Sequence, residues 1–296
     1  MRALVISGGG SKGAYAGGIA EYLIRQCKID YDLFVGTSTG SLLLAHLALG
    51  EIESIKKLFT SVRNRDIFDH SPFSIINGKV KIHHWNILRM ILRRQKTFGT
   101  SNSLHDLIRD NLSPAHYENL RSKNKEIVVS VSNFTTHHME YKSSKEESYL
   151  DFCEWTWISA NLVPFMSLIN KNGSEYGDGG FGSQVPINEA IRRGATEIDV
   201  IVLRREQIEE TKLPSTSPFD TTMKVLDFMH DQVIHDDIRL GTLEAIRNDV
   251  KLNFYYLPRK LTSNSLVFNP LKMQRWWEEG YDWASTYAPE IKHIEG

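Results

Sequence analysis

The sequence predicts an α/β protein with a central, mostly parallel sheet flanked by helices. Two strand–turn–helix units follow each other within the first fifty residues: strand 3–7, helix 14–25, strand 31–36 and helix 41–49. Strands and helices that alternate in this way build parallel sheets covered by helices. Three later apolar runs are typical of further strands, at residues 127–131, 198–203 and 252–257.

The other segments are assigned from helical spacing and turn residues. Residues 51–120 are predicted to be mainly helical, with turns near Ser71 and Gly99, and residues 137–142 are a candidate hairpin partner for the strand before them. Glycine is favoured just past a helix C-terminus, and Gly194 occupies that position. The remaining predicted helices cover residues 152–161, 187–193, 221–247 and 270–288. The aromatic residues of the last helix are expected to pack in the core.

Composition indicates a folded globular protein. The chain has 296 residues, of which 41% are hydrophobic and 24% charged, and its formal charge is −1. This charge argues against nucleic acid as the main partner. No internal repeat or low-complexity linker is visible. We therefore expect a catalytic core at residues 1–205 and an extension at residues 206–296 that completes the same domain.

Targeting signals and disulfide bonds are not expected. The N-terminal apolar run is too short for a signal peptide, and no apolar stretch approaches the ~18 residues that span a bilayer. The two cysteines, Cys27 and Cys153, suit a reducing compartment. We therefore predict a soluble cytoplasmic protein, with no metal site and no cofactor.

A basic segment raises the hypothesis of peripheral contact with an anionic membrane. Helical geometry places Arg89, Arg93 and Lys96 on one narrow strip beside apolar residues. A core helix with a solvated basic stripe explains the same pattern equally well.

The first chemical signal is a G-x-S-x-G sequence formed by Gly36, Ser38 and Gly40. A nucleophilic serine at a sharp strand-to-helix turn has a strained backbone, and side chains two residues away on either side would clash. The turn also places Ser38 at a helix N-terminus, whose dipole stabilises negative charge. An ordinary turn with an N-capping serine is the simpler alternative.

The second signal is the glycine loop at residues 8–13. Its backbone amides can receive a negative oxygen, either in acyl transfer or on a phosphate. Gly8, Gly10 and Gly13 match the dinucleotide fingerprint G-x-G-x-x-G, so a Rossmann-like nucleotide-binding protein is the alternative. That fingerprint expects an acid at the end of the second strand, whereas Asp32 lies at its beginning.

The third signal is the sequence of Asp178, Gly179 and Gly180. An aspartate among glycines can approach another backbone closely and act as a general base for Ser38. Its ordinary pKa of ~3.9 makes it a poor base, so this role needs a poorly hydrated pocket. A simple Asp-Gly turn is the commoner meaning of such a sequence.

Together these three blocks resemble the patatin-like phospholipase family. Residues 159–165 look like a degenerate form of the family's Ser-Ala…Pro segment, with an imperfect match at Asn161. The resemblance implies a three-layer α/β sandwich and a lipid acyl hydrolase that acts on phospholipid or lysophospholipid esters through a Ser–Asp dyad and an acyl-enzyme. Ser38 would be the nucleophile and Asp178 the base. The implied oxyanion loop comprises Gly8, Gly9, Gly10, Lys12 and Gly13, with Gly9 and Gly10 giving most of the amides.

A histidine-dependent triad remains open as an alternative. The order Ser…Asp…His of the α/β-hydrolases is satisfied by Ser38, Asp178 and one of His230, His235 or His293. That fold normally places several strands before its nucleophile, whereas Ser38 follows the second predicted strand, which favours the dyad.

Overall fold

The structure is a computed structural model that describes residues 1–71, 73–76, 79–82, 92, 94–207, 214–215, 218–262 and 264–287. For residues 73–76, 79–82 and 218–220 it describes the backbone alone.

The described strands, in chain order, are β1 (Arg2–Ile6), β2 (Leu33–Gly36), β3 (Phe73–Ile76), β4 (Lys79–Ile82), β5 (Glu126–Asn133), β6 (His138–Ser143), β7 (Ile169–Lys171), β8 (Ser174–Asp178), β9 (Glu197–Val202) and β10 (Lys251–Tyr256). The described helices are α1 (Gly13–Arg25), α2 (Thr39–Leu49), α3 (Ile52–Ser61), α4 (Asn64–Ile67), α5 (Asn102–Asn111), α6 (Pro114–Ser122), α7 (Tyr149–Ser159), α8 (Ile187–Arg192), α9 (Pro218–Arg247) and α10 (Pro270–Tyr287). Short 3₁₀ turns lie at Gly10–Lys12 and Gly179–Phe181.

The predicted fold class is confirmed. Strands β10, β9, β1, β2 and β5 pair in that order and run parallel, and β6, β7 and β8 extend the sheet with antiparallel pairs. Alternate residues of β1 enter separate cores: Leu4 and Ile6 face one, and Ala3 and Val5 the other. The sheet is therefore the middle of three layers.

One part of the predicted helical region is wrong. Strands β3 and β4 form an antiparallel hairpin within residues 51–120. Short apolar runs fit a helix or a strand equally well when periodicity is the sole guide. Helices α3, α5 and α6 in the same region agree with the prediction.

Three strands share β5, and this arrangement positions the site. β6 pairs with residues 128–133 of β5, so it occupies one edge over that length. β2 pairs with residues 126–129 and β8 with residues 131–133, so both must use the other edge. β2 ends at Gly36 opposite Val129, and β8 ends at Asp178 opposite Val131. The ends of two strands distant in sequence therefore meet.

Helix α10 closes the first core against α1. Trp277 is fully buried, and its Nε1 donates to Glu21 Oε2 at 2.7 Å. A Cβ on Gly18 would lie 2.0 Å from the carbonyl oxygen of Trp277, so glycine permits this close helix contact. The expected core packing of the aromatic C-terminal helix is confirmed for Trp276 and Trp277. Among the described helices, none combines the length and hydropathy needed to cross a bilayer.

We predict that Trp277→Ala lowers the free energy of unfolding by about 3–5 kcal/mol, because it leaves a large cavity between α1 and α10. Chemical denaturation measures this change. Leu271→Ala on the same helix is the matched control, since Leu271 is 72% exposed and should change stability by less than about 0.5 kcal/mol. Equal effects of the two substitutions would contradict the packing described here.

Candidate active site

Ser38 lies in a strained turn between β2 and α2. Its backbone has φ 54° and ψ −123°, a region that residues other than glycine rarely adopt. A Cβ on Gly36 would lie 2.8 Å from the backbone of Gly40, and a Cβ on Gly40 would lie 2.2 Å from the carbonyl oxygen of Ile6. Both glycines are therefore required by close backbone contacts, and the turn holds a partly exposed serine at the N-terminus of α2.

Asp178 lies beside Ser38 and is 3% exposed. Its carboxylate has a side-chain hydrogen bond with Ser38 and accepts the amide of Gly180 at 2.7 Å. Its backbone is held on both sides, since its amide donates to Asn161 O at 2.9 Å and its carbonyl accepts the Ser132 hydroxyl at 2.7 Å. The structure thus brings together two side chains that lie far apart in the sequence.

Burial decides the protonation of this carboxyl group. Desolvation raises the pKa of Asp178 to about 7, and the hydrogen bonds with Ser38 and Gly180 oppose that rise. A carboxylate with a pKa in this range is a far stronger base than an exposed aspartate. The group can therefore exchange a proton with Ser38 near neutral pH.

The turn that carries Asp178 packs directly on β5. A Cβ on Gly179 would lie 2.1 Å from Ser130 Oγ and 2.4 Å from Ser130 O. Ser130 Oγ lies 2.6 Å from the hydroxyl of buried Thr37, the residue before Ser38. The turn of Ser38 and the turn of Asp178 therefore both contact β5, in addition to the interaction between the two side chains.

The glycine loop lies against this pair. Gly10 has φ +57°, and a Cβ there would lie 2.3 Å from Ser265 O, so the loop needs glycine at this position. A Cβ on Gly8 would lie 3.2 Å from the Cβ of Ser38. The loop therefore passes close to the serine.

The amides of the predicted oxyanion loop differ in whether the protein provides an acceptor for them. The amide of Gly8 donates to Gln184 O at 3.2 Å, that of Lys12 to Gly9 O at 3.3 Å, and that of Gly13 to Gly10 O. Those three amides therefore have acceptors within the protein. Among the described residues, the amides of Gly9 and Gly10 have no acceptor, and both residues line the cavity beside Ser38.

Residues 159–161 anchor both turns, although their match to the family pattern is imperfect. Ser159 Oγ accepts the amide of Ser38 at 3.1 Å, and Asn161 O accepts the amide of Asp178. Asn161 itself is fully buried, with its side chain bonded to Ser101 and Trp157. The Ser-Ala pair was the sequence signal for this support.

A cavity of about 580 Å³ opens on Ser38 and Asp178. Part of its lining is apolar and includes Leu42, Ile67, Leu104, Leu162, Leu266 and Phe268. Four of these residues also line a second cavity of about 60 Å³ between α2, α3 and α5: Leu42, Ile67, Leu104 and Phe268. Apolar side chains therefore separate the large cavity from the smaller one in the first core. The lining of the large cavity also includes charged residues, among them Lys12, Arg204 and Asp227.

In the part of the chain that the structure describes, no histidine from the C-terminal third connects Ser38 with Asp178. His230 lines the large cavity. Burial lowers the pKa of its side chain, and the nearby charge of Lys12 lowers it further. His235 is exposed, 3.9 Å from Asp236. His293 lies outside the described residues, as do Arg89 and Arg93 of the basic segment, whereas Lys96 pairs with Glu175 at 2.6 Å.

The acid expected of a dinucleotide site lies away from the glycine loop. Asp32 precedes β2, and its carboxylate accepts the amide of Arg2 at 3.0 Å. Arg2 begins β1, whereas the glycine loop follows the end of that strand. The carboxylate and the loop therefore lie at opposite ends of the sheet.

One group of possible metal ligands occurs among the described residues. Ligand atoms of His46, Glu51 and His116 lie within 4.8 Å of one another. His116 Nδ1 accepts the amide of Ser113 at 3.2 Å, so a neutral ring carries its proton on Nε2, which lies 3.6 Å from Glu51. That nitrogen is a donor to the carboxylate in this arrangement, and the donor set does not fit a metal ion.

Comparisons with known proteins agree with the fold and the motifs. A patatin-like phospholipase family model matches residues 4–191, more than half of the chain. The uncharacterized protein YjjU of Escherichia coli (strain K12) is 23% identical over 203 residues, which cover 67% of this chain and 51% of that protein. The uncharacterized protein L620 of Acanthamoeba polyphaga mimivirus is 36% identical over 86 residues, or 26% of this chain and 23% of that protein.

A solved structure supports the fold alone. The crystal structure of VipD from Legionella pneumophila has a TM-score of 0.52 and 15% identity, and the match covers 99% of this chain and 68% of that one. The chain spans about half the length of YjjU and less of L620. The family match over residues 4–191 confirms the resemblance found in the sequence: this chain belongs to the patatin-like phospholipase family.

Proposed function

We propose that this protein is a serine esterase that hydrolyses fatty acyl esters of lipids, with Ser38 as nucleophile and Asp178 as general base. The observation that carries the proposal is that the Ser38 side chain interacts with Asp178, a buried carboxyl group whose pKa is raised to about 7. An activated nucleophile needs a base within hydrogen-bond reach and with a pKa near the working pH. Asp178 meets both requirements without an intervening histidine.

The reaction follows from the positions of these groups. Ser38 Oγ attacks the ester carbonyl carbon while its proton passes to Asp178. The amides of Gly9 and Gly10 and the N-terminus of α2 stabilise the oxyanion. Asp178 returns the proton to the leaving alcohol, and an acyl-enzyme remains. Water then gives a proton to Asp178 and attacks the acyl carbon, and the fatty acid leaves as Ser38 regains its proton.

The cavity supports a lipid as the substrate. Its apolar lining includes Leu42, close to the serine in sequence, and Leu104 and Phe268, which also line the smaller cavity. Burial of an acyl chain contributes about 0.8 kcal/mol for each CH₂ group. An ester with a long chain therefore gains binding energy that a short ester lacks.

The nucleotide-binding alternative is less favoured. Its expected ribose ligand, Asp32, lies at the far end of the sheet from the glycine loop. The family match over residues 4–191 also supports an acyl hydrolase. Saturable binding of NAD without labelling of Ser38 would restore that alternative.

We predict that Ser38→Ala abolishes both labelling by a fluorophosphonate probe and hydrolysis of p-nitrophenyl esters. The expected loss of kcat is about 10³-fold or more, because no other hydroxyl replaces the nucleophile. Ser285→Ala, at an exposed serine of α10, is the matched control and should retain both. Retained labelling in Ser38→Ala would place the nucleophile elsewhere.

The dyad predicts a small role for histidine in bond cleavage. We expect alanine at His230, His235 or His293 to lower kcat for a short ester by a factor at least about a hundred times smaller than the factor for Ser38→Ala. The reason is that Asp178 interacts with Ser38 without a histidine between them. Steady-state kinetics of the three variants measure this. A loss equal to that of Ser38→Ala in any of them would establish a triad instead.

The raised pKa of Asp178 predicts the pH profile of the reaction. The base must be deprotonated, so kcat/KM should rise about tenfold per pH unit below pH 7 and level off above it. A short soluble ester measured between pH 5 and pH 9 tests this. A profile that is flat down to pH 5 would exclude a base with this pKa.

The same pKa predicts a cost in stability. The pKa of Asp178 is ~3.9 in the unfolded chain and about 7 in the folded protein. Between these two pH values the folded protein keeps a proton that the unfolded chain releases, so the free energy of unfolding falls as the pH rises. Asp178→Asn cannot ionise. The free energy of unfolding of the variant relative to the wild type should increase by about 2–3 kcal/mol from pH 5 to pH 8. Denaturant titrations at both pH values measure it, and an unchanged difference would contradict the burial of an ionisable carboxyl.

A further inference from the structure

Helix α9 holds a short buried segment that lies next to the proposed reacting groups. Residues 183–185 are all buried. The carboxylate of Asp237 on α9 accepts the amide of Val185 at 2.7 Å. It also interacts with the amide of Gln184 and the hydroxyl of Ser183. One side chain of α9 therefore contacts every residue of this segment.

The same segment holds the glycine loop and the turn of the proposed nucleophile. The carbonyl of Gln184 accepts the amide of Gly8 at 3.2 Å. The carbonyl of Ser183 accepts the hydroxyl of Thr37 at 2.9 Å, and Thr37 is the fully buried residue before the nucleophile. A shift of residues 183–185 would therefore displace hydrogen-bond acceptors of both the loop and the turn.

The side chain of Gln184 fills the space between the glycine loop and the turn of Asp178. A Cβ on Gly8 would lie 2.3 Å from Gln184 Oε1, and a Cβ on Gly180 would lie 2.3 Å from Gln184 Nε2. Gly180 is the residue whose amide donates to Asp178. Residues 183–185 are therefore packed between the loop and the turn that carries the proposed base.

One face of α9 packs on this part of the chain. A Cβ on Gly241, one helical turn after Asp237, would lie 2.7 Å from the Cβ of Ile187. Residues four positions apart share a helix face, so Asp237 and Gly241 belong to the same contact. Both lie beyond the family match, which ends at residue 191. The family motifs therefore do not include this contact.

Hydrogen-bond donors surround the carboxyl group of Asp237. Desolvation raises its pKa to about 7, and the donors of residues 183–185 oppose that rise. Burial alone is unfavourable for an ionisable group. Asp237 therefore contributes mainly through the bonds that it makes to this segment.

We propose that Asp237 is a positioning residue for the proposed ester hydrolysis, on which this inference rests. It fixes residues 183–185, and these residues fix the glycine loop and the turn of Ser38. Amides stabilise an oxyanion only when their positions are held, and a displacement of about 1 Å can cost about 10²-fold in rate. The effect of Asp237 is therefore expected mainly in kcat.

The first test compares three variants on α9 with a short p-nitrophenyl ester. Asp237→Ala removes the acceptor, and we expect kcat to fall about tenfold with KM changed less than about twofold. Asp237→Asn keeps one acceptor oxygen and should stay within about threefold of the wild type. Asp236→Ala is the matched control, because the side chain of Asp236 is 68% exposed, and its kcat should not change.

Labelling by a fluorophosphonate probe gives a second measure of the same effect. The labelling rate of Asp237→Ala should fall by about the same factor as kcat, since both reactions develop a negative oxygen beside the glycine loop. A purely stabilising role would lower the unfolding temperature and leave both rates unchanged in the folded protein. Unchanged rates in folded Asp237→Ala would therefore overturn the inference. Should Asp237→Ala not fold, Asp237→Glu shifts the carboxylate by one CH₂ group, and a wild-type kcat there would overturn it equally.

A double-mutant cycle tests whether Asp237 acts through residues 183–185. Thr37→Val removes the hydroxyl that donates to Ser183 O. If both side chains position one segment, Asp237→Ala should reduce kcat at least about threefold less in Thr37→Val than in the wild type. Equal reductions in the two backgrounds would show that the two side chains act independently and would overturn the inference.

Amide hydrogen exchange separates this inference from the proposed catalysis. Mass spectrometry of peptides that contain Gly8 and Val185 should show at least about tenfold faster exchange in Asp237→Ala than in the wild type or Asp236→Ala. Unchanged exchange and unchanged kcat would overturn the positioning role and leave the esterase intact. Faster exchange, with a wild type that neither hydrolyses esters nor reacts with the probe, would support the link between α9 and the glycine loop and overturn the esterase.

Discussion

The site depends on one buried carboxyl group held on the edge of a strand. Asp178 ends β8 opposite Val131 of β5, and β2 ends two residues earlier on the same edge, opposite Val129. The carboxyl is 3% exposed there, so desolvation raises its pKa to about 7 beside Ser38. Desolvation makes Asp178 more basic than an exposed aspartate. The same desolvation makes its ionised form costly for stability.

Close backbone contacts explain why glycines cluster at this point. The turn after β2, the turn after β8 and the loop after β1 converge on a small volume, where ideal Cβ atoms on Gly40, Gly179 and Gly10 would lie within 2.4 Å of neighbouring oxygens. The strained backbone of Ser38 persists because these surroundings hold it. In the same volume most of the loop amides donate to backbone acceptors, whereas those of Gly9 and Gly10 have no acceptor among the described residues.

Residues beyond the family match complete the cavity. β10 adds a parallel strand beside β9, and α9 contributes Met223, Asp227 and Ile234 to the cavity wall. Asp237 ties α9 to the segment after the Asp178 turn, because its carboxylate accepts the amide of Val185 at 2.7 Å. The family match thus includes Ser38 and Asp178, and a separate stretch of the chain completes the wall of the cavity beside them.

Much of the fold and the identity of the key residues could be predicted from the sequence, because they depend on local rules. Apolar runs followed by glycine turns indicated β1, β2 and the helices after them, and the spacing of Gly36, Ser38 and Gly40 follows from the sterics of a single turn. The hairpin of β3 and β4 was missed because a short apolar run has no distinctive period.

The tertiary structure decided what depends on contacts between distant residues. It placed Asp178 on the same strand edge as Ser38, gave Asn161 and Ser159 their supporting bonds, and used the amides of Gly8 and Lys12 within the protein. It also brought Arg204 and Lys260 to the cavity that Lys12 lines. Local pattern carries no information on such pairs, because strand register, burial and electrostatic environment are set by the packing of the whole domain.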